Sequence, residues 1–270
     1  MIYEMREHWN MIKEFIFKLF TVLNETSIDY AILRNHKNFP DKPEDSDYYD
    51  LDVIVCKRSI HTIENIIKHS ISTEQCPFFI KKIVKEYVIT YRIIAVDTKL
   101  ENYLDSVQID FHVKGQGWWG FYYLNEDEIL SKKQRNKDGF FIVSNFHCQL
   151  FNWLDKGLWG NYVKEKYSEN ILLSYKTEKD LWDTFFNKWF NCQHCKYLHS
   201  NFSNNDLTST LSMMPILRRN LIKRSVLNST FQSLISFSVF LLHEIKQFFL
   251  TPGMHLIVSG FGADEVNSFL

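Results

Sequence analysis

Three aspartates stand at spacings that suit chemistry on phosphate groups. Asp50 and Asp52 lie two residues apart at the start of the apolar run 50–55, and Asp110 lies in a second strand-like run, 107–113. Because side chains at i and i+2 of a strand point to the same face, Asp50 and Asp52 are predicted to present two carboxylates side by side. Like charges this close repel unless a cation neutralises them, and magnesium with oxygen ligands and a substrate phosphate meets that need. The sequence therefore predicts a magnesium site closed by Asp110.

The elements that must position these acids follow from the spacing of the apolar residues. The first part of the chain is predicted to mix helices (3–24, 59–71) with strands (30–33, 50–56, 86–96, 106–113) around a polar loop, 34–49. Helices with apolar faces are predicted at 146–156, 161–175, 178–190, 207–224 and 231–249. The predicted fold class is therefore α+β, with a mixed sheet and flanking helices in 1–145, a helical domain in 146–250 and a tail in 251–270.

Composition narrows the class of protein. A chain of 270 residues with 45% hydrophobic residues can form one large or two small packed domains. The net charge of −1 gives no basic surface for bulk nucleic-acid binding. Five irregularly spaced cysteines argue against a disulfide framework and suit a reducing compartment. Because the N-terminal segment lacks a signal-peptide pattern and 231–250 is too polar to span a bilayer, we expect a soluble cytoplasmic protein.

The motifs around the acids resemble a known fold. The segments that carry the likeness are Tyr30-Ala-Ile-Leu-Arg-Asn35, Asp50-Leu-Asp-Val-Ile-Val55 and Ile109-Asp-Phe-His112, followed by Trp118-Trp-Gly120. They resemble the nucleotidyltransferase fold of the DNA-polymerase-β type. The likeness is closer to a bacterial group of nucleotidyltransferase-like proteins that is often associated with surface-polysaccharide genes and sometimes fused to a thymidylate-kinase-like P-loop domain. It covers roughly residues 5–250, with the specific motifs confined to 30–120.

The resemblance implies a role for each acid. In that fold the two strand acids hold magnesium ions that bridge the triphosphate and the attacking oxygen, and the third acid completes the second metal position. Asp50, Asp52 and Asp110 are thereby implied as catalytic and metal-holding residues. The broader superfamily grips the triphosphate with Gly-Ser at a helix start, but this chain has Arg34-Asn35 there. Arg34 is expected to clamp phosphate and Asn35 to donate a hydrogen bond as serine would.

The resemblance favours one function and leaves alternatives open. The leading hypothesis is a magnesium-dependent enzyme that transfers a nucleotidyl or related phospho-group from a nucleoside triphosphate to a hydroxyl or phosphate acceptor, such as a sugar or surface-polysaccharide precursor. The alternative is a catalytically inactive binding or scaffold module of the same fold. Modification of a tRNA or a protein is a third, weaker hypothesis, because the near-neutral charge offers RNA no obvious docking surface.

Four further features are interpreted without assigning them a function. His112 shares a strand face with Asp110, where it either touches phosphate or serves a structural role. The tail after Gly260 has Glu265 and Val266 where a P-loop needs Gly and Lys, so kinase activity is rejected. Cys192-Gln-His-Cys195 and His199 lack the second ligand pair of a structural zinc site and are interpreted as ordinary residues. The basic cluster of the helical part is interpreted as a solvated face; its members are Arg218, Arg219, Lys223 and Arg224.

Overall fold

The computed structural model describes residues 2–34, 39, 49–72, 78–85, 88–97, 102–118 and 121–228, with a few further positions between 235 and 245. The chain divides into two compact units. The described residues of the first, the sheet unit, come from 2–114 and 133–142, and those of the second, the helical unit, from 115–132 and 143–245. Asn35, much of the predicted helix 231–249 and the predicted tail 251–270 lie outside the described residues.

Strands and helices have the following bounds. The strands are β1 Tyr30–Ile32, β2 Tyr49–Val55, β3 Phe78–Val84, β4 Val88–Asp97, β5 Asn102–His112, β6 Gln116–Trp118, β7 Phe121–Leu124, β8 Gln134–Arg135 and β9 Phe141–Ile142. The helices are α1 Ile2–Glu25, α2 Ile60–Ser72, α3 Glu126–Leu130, α4 Asn145–Gly160, α5 Glu165–Thr177, α6 Lys179–Trp189, α7 Cys192–Ser203, α8 Leu207–Thr210 and α9 Met214–Asn228. Short 3₁₀ turns lie at Lys57–Ser59 and Leu211–Met213.

The sheet unit contains one mixed sheet of seven strands in the order β3-β4-β5-β2-β1-β9-β8. The pairs β2–β5 and β1–β9 are parallel, and the other neighbours are antiparallel. This architecture confirms the predicted α+β class with a mixed sheet and flanking helices. Within the described ranges, no helix is both long and apolar enough to span a lipid bilayer.

One face of this sheet forms the core of the unit. Helix α1 packs against α2, β4 and β5, and the apolar stripe on its second half is buried: Ile12, Phe15, Ile16, Leu19, Phe20 and Leu23. From β2 the inward residues are Leu51, Val53 and Val55, all inaccessible to solvent. Each buried aliphatic side chain of this kind contributes about 1.5–3 kcal/mol to folding. Since strand side chains alternate, burial of these three fixes Asp50 and Asp52 on the opposite face.

The helical unit has a core of aromatic rings. Trp153 and Trp182 are inaccessible to solvent, and their ring centroids lie 5.9 Å apart. Trp153 Nε1 donates a hydrogen bond to Thr210 Oγ1 at 3.0 Å. Trp182 Nε1 donates to Ser174 Oγ at 3.2 Å. The polar atoms of both indoles are therefore satisfied inside the core, as buried tryptophans require.

Arg218 departs from the solvated face predicted for the basic cluster. Its Nη2 donates hydrogen bonds to the carbonyl oxygens of Gly157 at 3.3 Å and Leu158 at 2.5 Å, near the C-terminal end of α4. Its guanidinium also lies over the Trp118 ring at 5.4 Å. A cation at that end of a helix satisfies carbonyls that have no partner within the helix. For Arg218 the prediction of a solvated side chain was wrong, because the side chain is half-buried and caps α4.

Candidate functional site

The register between β2 and β5 brings the predicted acids onto one face of the sheet. Asp50 lies opposite Gln108, and Asp52 lies opposite Asp110. Neighbouring strands are about 4.8 Å apart, and paired residues point to the same side. On β4, Thr90 pairs with Asp110 in the next position along the same row. We call the side of the sheet that carries these residues, with Arg92 and His112, the acid face.

Asp52 is the most enclosed acid of the acid face, with 2% of its surface exposed. Arg34 Nε donates a hydrogen bond to its Oδ2, and His112 Nε2 lies 3.1 Å from its Oδ1. Both carboxylate oxygens therefore have a partner. Local backbone geometry places Arg34 here, because Leu33 N donates to the carbonyl oxygen of Asp52 at 2.8 Å and so fixes the residue before Arg34 against β2.

These partners decide the charge of Asp52. Burial by itself would raise the pKa of its carboxyl, since a low-dielectric surrounding disfavours the ionised form. The positive charge of Arg34 and the hydrogen bond from His112 outweigh burial and lower this pKa from 3.8 to about 2. Asp52 is consequently ionised at neutral pH. Because an ionised carboxylate only accepts hydrogen bonds, His112 Nε2 carries a hydrogen and donates a hydrogen bond to Asp52 Oδ1.

The other two acids share a neutral donor. Gln108 Nε2 lies 3.4 Å from Asp50 Oδ1 and 3.3 Å from Asp110 Oδ2, so one amide group links the two carboxylates. Thr90 Oγ1 donates to Asp110 Oδ1 at 2.6 Å. Asp50 and Asp110 are both half-buried, in contrast to the enclosed Asp52. Their surroundings therefore combine fixed orientation with access to solvent.

The structure brings four of the five sequence-predicted site residues together, since Asp50, Asp52, Asp110 and Arg34 all lie at the acid face; Asn35 lies outside the described residues. Carboxylate oxygens are the ligand type that magnesium prefers, so the donor chemistry of the three acids fits this ion. In the described part of the chain, no group of three or more His, Cys, Asp or Glu side chains is arranged to hold a metal ion. Arg34, which was predicted to clamp phosphate, contacts the carboxylate of Asp52 in this structure.

Sequence reasoning missed Gln108 and Thr90. Gln108 precedes Asp110 by two residues on the same strand, so the alternation of β5 already contained the signal that both share a face. Thr90 lies on β4, and its contact with Asp110 depends on the pairing of β4 with β5. That pairing is a tertiary property, which no local pattern in the sequence encodes.

The cysteines weighed as zinc ligands lie on α7 in the helical unit. Cys195 is buried, and its Sγ lies 3.6 Å from Asn187 Oδ1. Burial raises the pKa of the Cys195 thiol, which disfavours the thiolate that binds metal. His199 Nδ1 is engaged with the Tyr175 hydroxyl at 2.9 Å. These contacts give each side chain a role in packing.

No protein-family model, curated protein or solved structure matches this chain. A functional proposal for it therefore depends on the resemblance of its motifs and on the geometry of the acid face.

Proposed function

We propose that this protein is a magnesium-dependent nucleotidyltransferase-like enzyme. It would transfer a nucleotidyl or related phospho-group from a nucleoside triphosphate to a hydroxyl or phosphate acceptor. The observation that carries the proposal is the register of the parallel strands, which sets Asp52 opposite Asp110 with Asp50 on the same face. From the resemblance alone, the proposed acceptor is a sugar or a precursor of surface polysaccharide.

The three acids of the acid face and their neutral hydrogen-bond partners have the following proposed roles. Asp50, Asp52 and Asp110 would hold magnesium, which neutralises charge on the phosphates during in-line displacement. Gln108 and Thr90 hold the carboxylates of Asp50 and Asp110 in fixed orientations through the hydrogen bonds described above. Ordered carboxylates lose less conformational freedom when a ligand binds. No covalent intermediate with the enzyme is required.

His112 and Arg34 complete the proposed set of roles. His112 orients Asp52 by donating from Nε2. Arg34 would bind a phosphate of the triphosphate, because the planar donors of its guanidinium, which contact the Asp52 carboxylate here, also match the geometry of phosphate. Asn35, the remaining residue of the proposed nucleotide-binding pair, would donate a hydrogen bond to the same group.

A catalytically inactive binding module is the second candidate. The contacts of Asp52 favour it, since Arg34 and His112 engage both carboxylate oxygens and neutralise the charge without a metal ion. A module that has no need of metal would keep such a network permanently. The two candidates therefore differ in whether nucleotide binding depends on magnesium and on the acids.

Thermal melting separates the candidates. The wild type and the variant Asp50→Asn/Asp52→Asn would be melted with each of the four ribonucleoside triphosphates and with dTTP, with and without magnesium. A ligand at about 100 times its Kd adds roughly 2.7 kcal/mol to the free energy of unfolding, which is a readable shift in Tm. We expect a magnesium-dependent shift with at least one triphosphate in the wild type and none in the variant.

Glu14→Gln/Glu25→Gln is the matched control for this experiment. It removes two negative charges from exposed positions on α1, in the same unit, and should retain the full shift. If the folded wild type gives no magnesium-dependent shift with any triphosphate, the enzyme proposal fails and the inactive module is favoured.

A further inference from the structure

We propose that Arg34 occupies the place of a metal cation at Asp52 and moves from this carboxylate to phosphate when metal and nucleotide bind. The inference rests on the proposed function and adds to it a residue that exchanges partners. It makes Arg34 a competitor of the metal ion and a ligand of the nucleotide in the same binding event.

Asp52 is enclosed by its two partners. Its carboxylate is 2% exposed, with Oδ2 engaged by Arg34 and Oδ1 by His112. A cation that reaches either oxygen competes with the partner already bound there. A buried carboxylate left without any partner is strongly unfavourable, so one positive charge has to leave as another arrives.

Of the two partners of Asp52, Arg34 is the one not held in the strand ladder. His112 ends β5 and is paired on both sides, with Ile54 of β2 and Val88 of β4. Arg34 lies two residues past the end of β1 and outside the strand ladder. The Arg34 side chain is 12% exposed and that of His112 is 11% exposed, so the two partners differ in backbone position and in the length of the side chain, not in exposure. Arg34 can withdraw by rotating a long, flexible side chain in a segment outside the sheet, whereas His112 has a shorter side chain on a strand that is paired on both sides.

The guanidinium released from Asp52 is suited to bind phosphate. It binds carboxylate and phosphate with the same planar donors, and it stays charged at every physiological pH. Once magnesium supplies the positive charge at Asp52, Arg34 gains more from a phosphate than from a carboxylate that is already neutralised. Arg34 therefore weakens the binding of metal alone and strengthens the binding of metal with polyphosphate.

These opposite effects can be measured on the full chain. Isothermal titration calorimetry would determine the Kd of Mn²⁺ alone and the Kd of the Mn²⁺–tripolyphosphate complex, for the wild type, Arg34→Met and Arg34→Lys. An opposite charge at contact distance changes such equilibria by about tenfold or more. For Arg34→Met we expect Mn²⁺ alone to bind about tenfold more tightly than to the wild type, and the complex to bind about tenfold more weakly.

Arg34→Lys keeps a positive charge and loses the planar donors, so both of its Kd values should fall between those of the wild type and Arg34→Met. Should Arg34→Met prove unfolded by circular dichroism, Arg34→Lys decides the question from the same pair of opposite shifts. Arg58→Met removes an exposed arginine from the turn after β2 and should leave both Kd values unchanged.

Two results would contradict the inference in different ways. If the wild type binds Mn²⁺ and the folded Arg34 variants bind it no more tightly, the exchange of partners is wrong while the proposed metal site stands. If neither the wild type nor any Arg34 variant binds Mn²⁺ or the complex, the proposed function fails and this inference fails with it.

Discussion

Asp52 in the sheet unit and His147 in the helical unit are both almost completely enclosed, but their charge states are opposite. In the sheet unit, Asp52 is 2% exposed and stays ionised because Arg34 and His112 contact it. In the helical unit, His147 is 1% exposed, and burial followed by the nearby charge of Lys132 lowers the pKa of its imidazole to about 4. His147 is therefore neutral at pH 7.

The hydrogen bonds explain the difference. His147 Nδ1 lies 2.8 Å from Ser144 Oγ, and within the described part of the chain its Nε2 has no hydrogen-bond partner. A protonated ring needs an acceptor at both nitrogens, so this site disfavours the charged form. Asp52, by contrast, has a donor at each oxygen. In the helical unit the buried His147 is therefore uncharged, whereas in the sheet unit the buried Asp52 keeps its charge together with the partners that neutralise it.

The largest expected effect comes from breaking the neutralisation of Asp52. Arg34→Met leaves a buried carboxylate without its cation, and we expect a loss of about 3–5 kcal/mol in the free energy of unfolding. Adding Asp52→Asn should recover part of this loss, because the double variant has no buried charge. Urea unfolding of the single and double variants gives the coupling energy directly.

The corresponding change in the helical unit is Ser144→Ala. It removes the hydroxyl that contacts His147 and also caps α4, and it should cost only about 0.5–2 kcal/mol. A loss below about 0.5 kcal/mol for Arg34→Met, the range of ordinary surface substitutions, would contradict the interpretation of Asp52 as a charge that needs its partner.

The second effect is a pH dependence that originates in His147. The pKa of its ring is about 4 in the folded protein and 6.5 ordinarily, so the unfolded chain binds the proton more readily between these values. The stabilisation is complete above pH 6.5 and is lost as the pH falls toward 4, with a total of about 3 kcal/mol. The free energy of unfolding, measured with urea at pH 7 and at pH 4.5, should decrease accordingly.

His147→Phe tests the origin of this decrease. Phenylalanine fills a similar volume without a titratable group, so the variant should lose most of the pH dependence between 6.5 and 4. The stabilisation that comes from ionised Asp52 changes over a lower pH range, since the pKa of this carboxyl is about 2 in the folded protein and 3.8 ordinarily. Its stabilisation is present above pH 3.8 and is lost only below that value. An unchanged pH dependence in His147→Phe would assign the effect to other groups.

Much of the sheet unit and of the acid face could be predicted from the sequence. The apolar stripe of α1 was predicted correctly, and the spacing of Asp50 and Asp52 correctly placed both carboxylates on one face of β2. Strand β3 was missed because Phe78-Phe-Ile-Lys-Lys-Ile-Val84 does not alternate with a period of two, which is the pattern that indicates a half-buried strand.

The contact between Arg34 and Asp52 could not be predicted in the same way. It joins residues 18 positions apart and arises because β1 pairs with β2 in one particular register. Residue types and spacing therefore predicted the three acids, whereas the contact by which Arg34 neutralises Asp52 depends on tertiary pairing. Register is set by which faces are buried and by the turns, and neither is readable at single-residue precision from this chain.

The smallest expected effect compares two threonines, one in each unit. Thr90 donates to the half-buried Asp110, which water can reach once the hydroxyl is gone. Thr210 is fully buried and accepts from Trp153 Nε1, which has no access to water. Valine has nearly the same shape as threonine, so each substitution removes only the hydroxyl. By urea unfolding, Thr90→Val should cost about 0.5–1.5 kcal/mol and Thr210→Val about 1–3 kcal/mol, because an orphaned buried donor is more costly than a lost hydrogen bond. If Thr90→Val were the more destabilising of the two, Asp110 would belong to a closed structural network, and its proposed access to metal and substrate would be wrong.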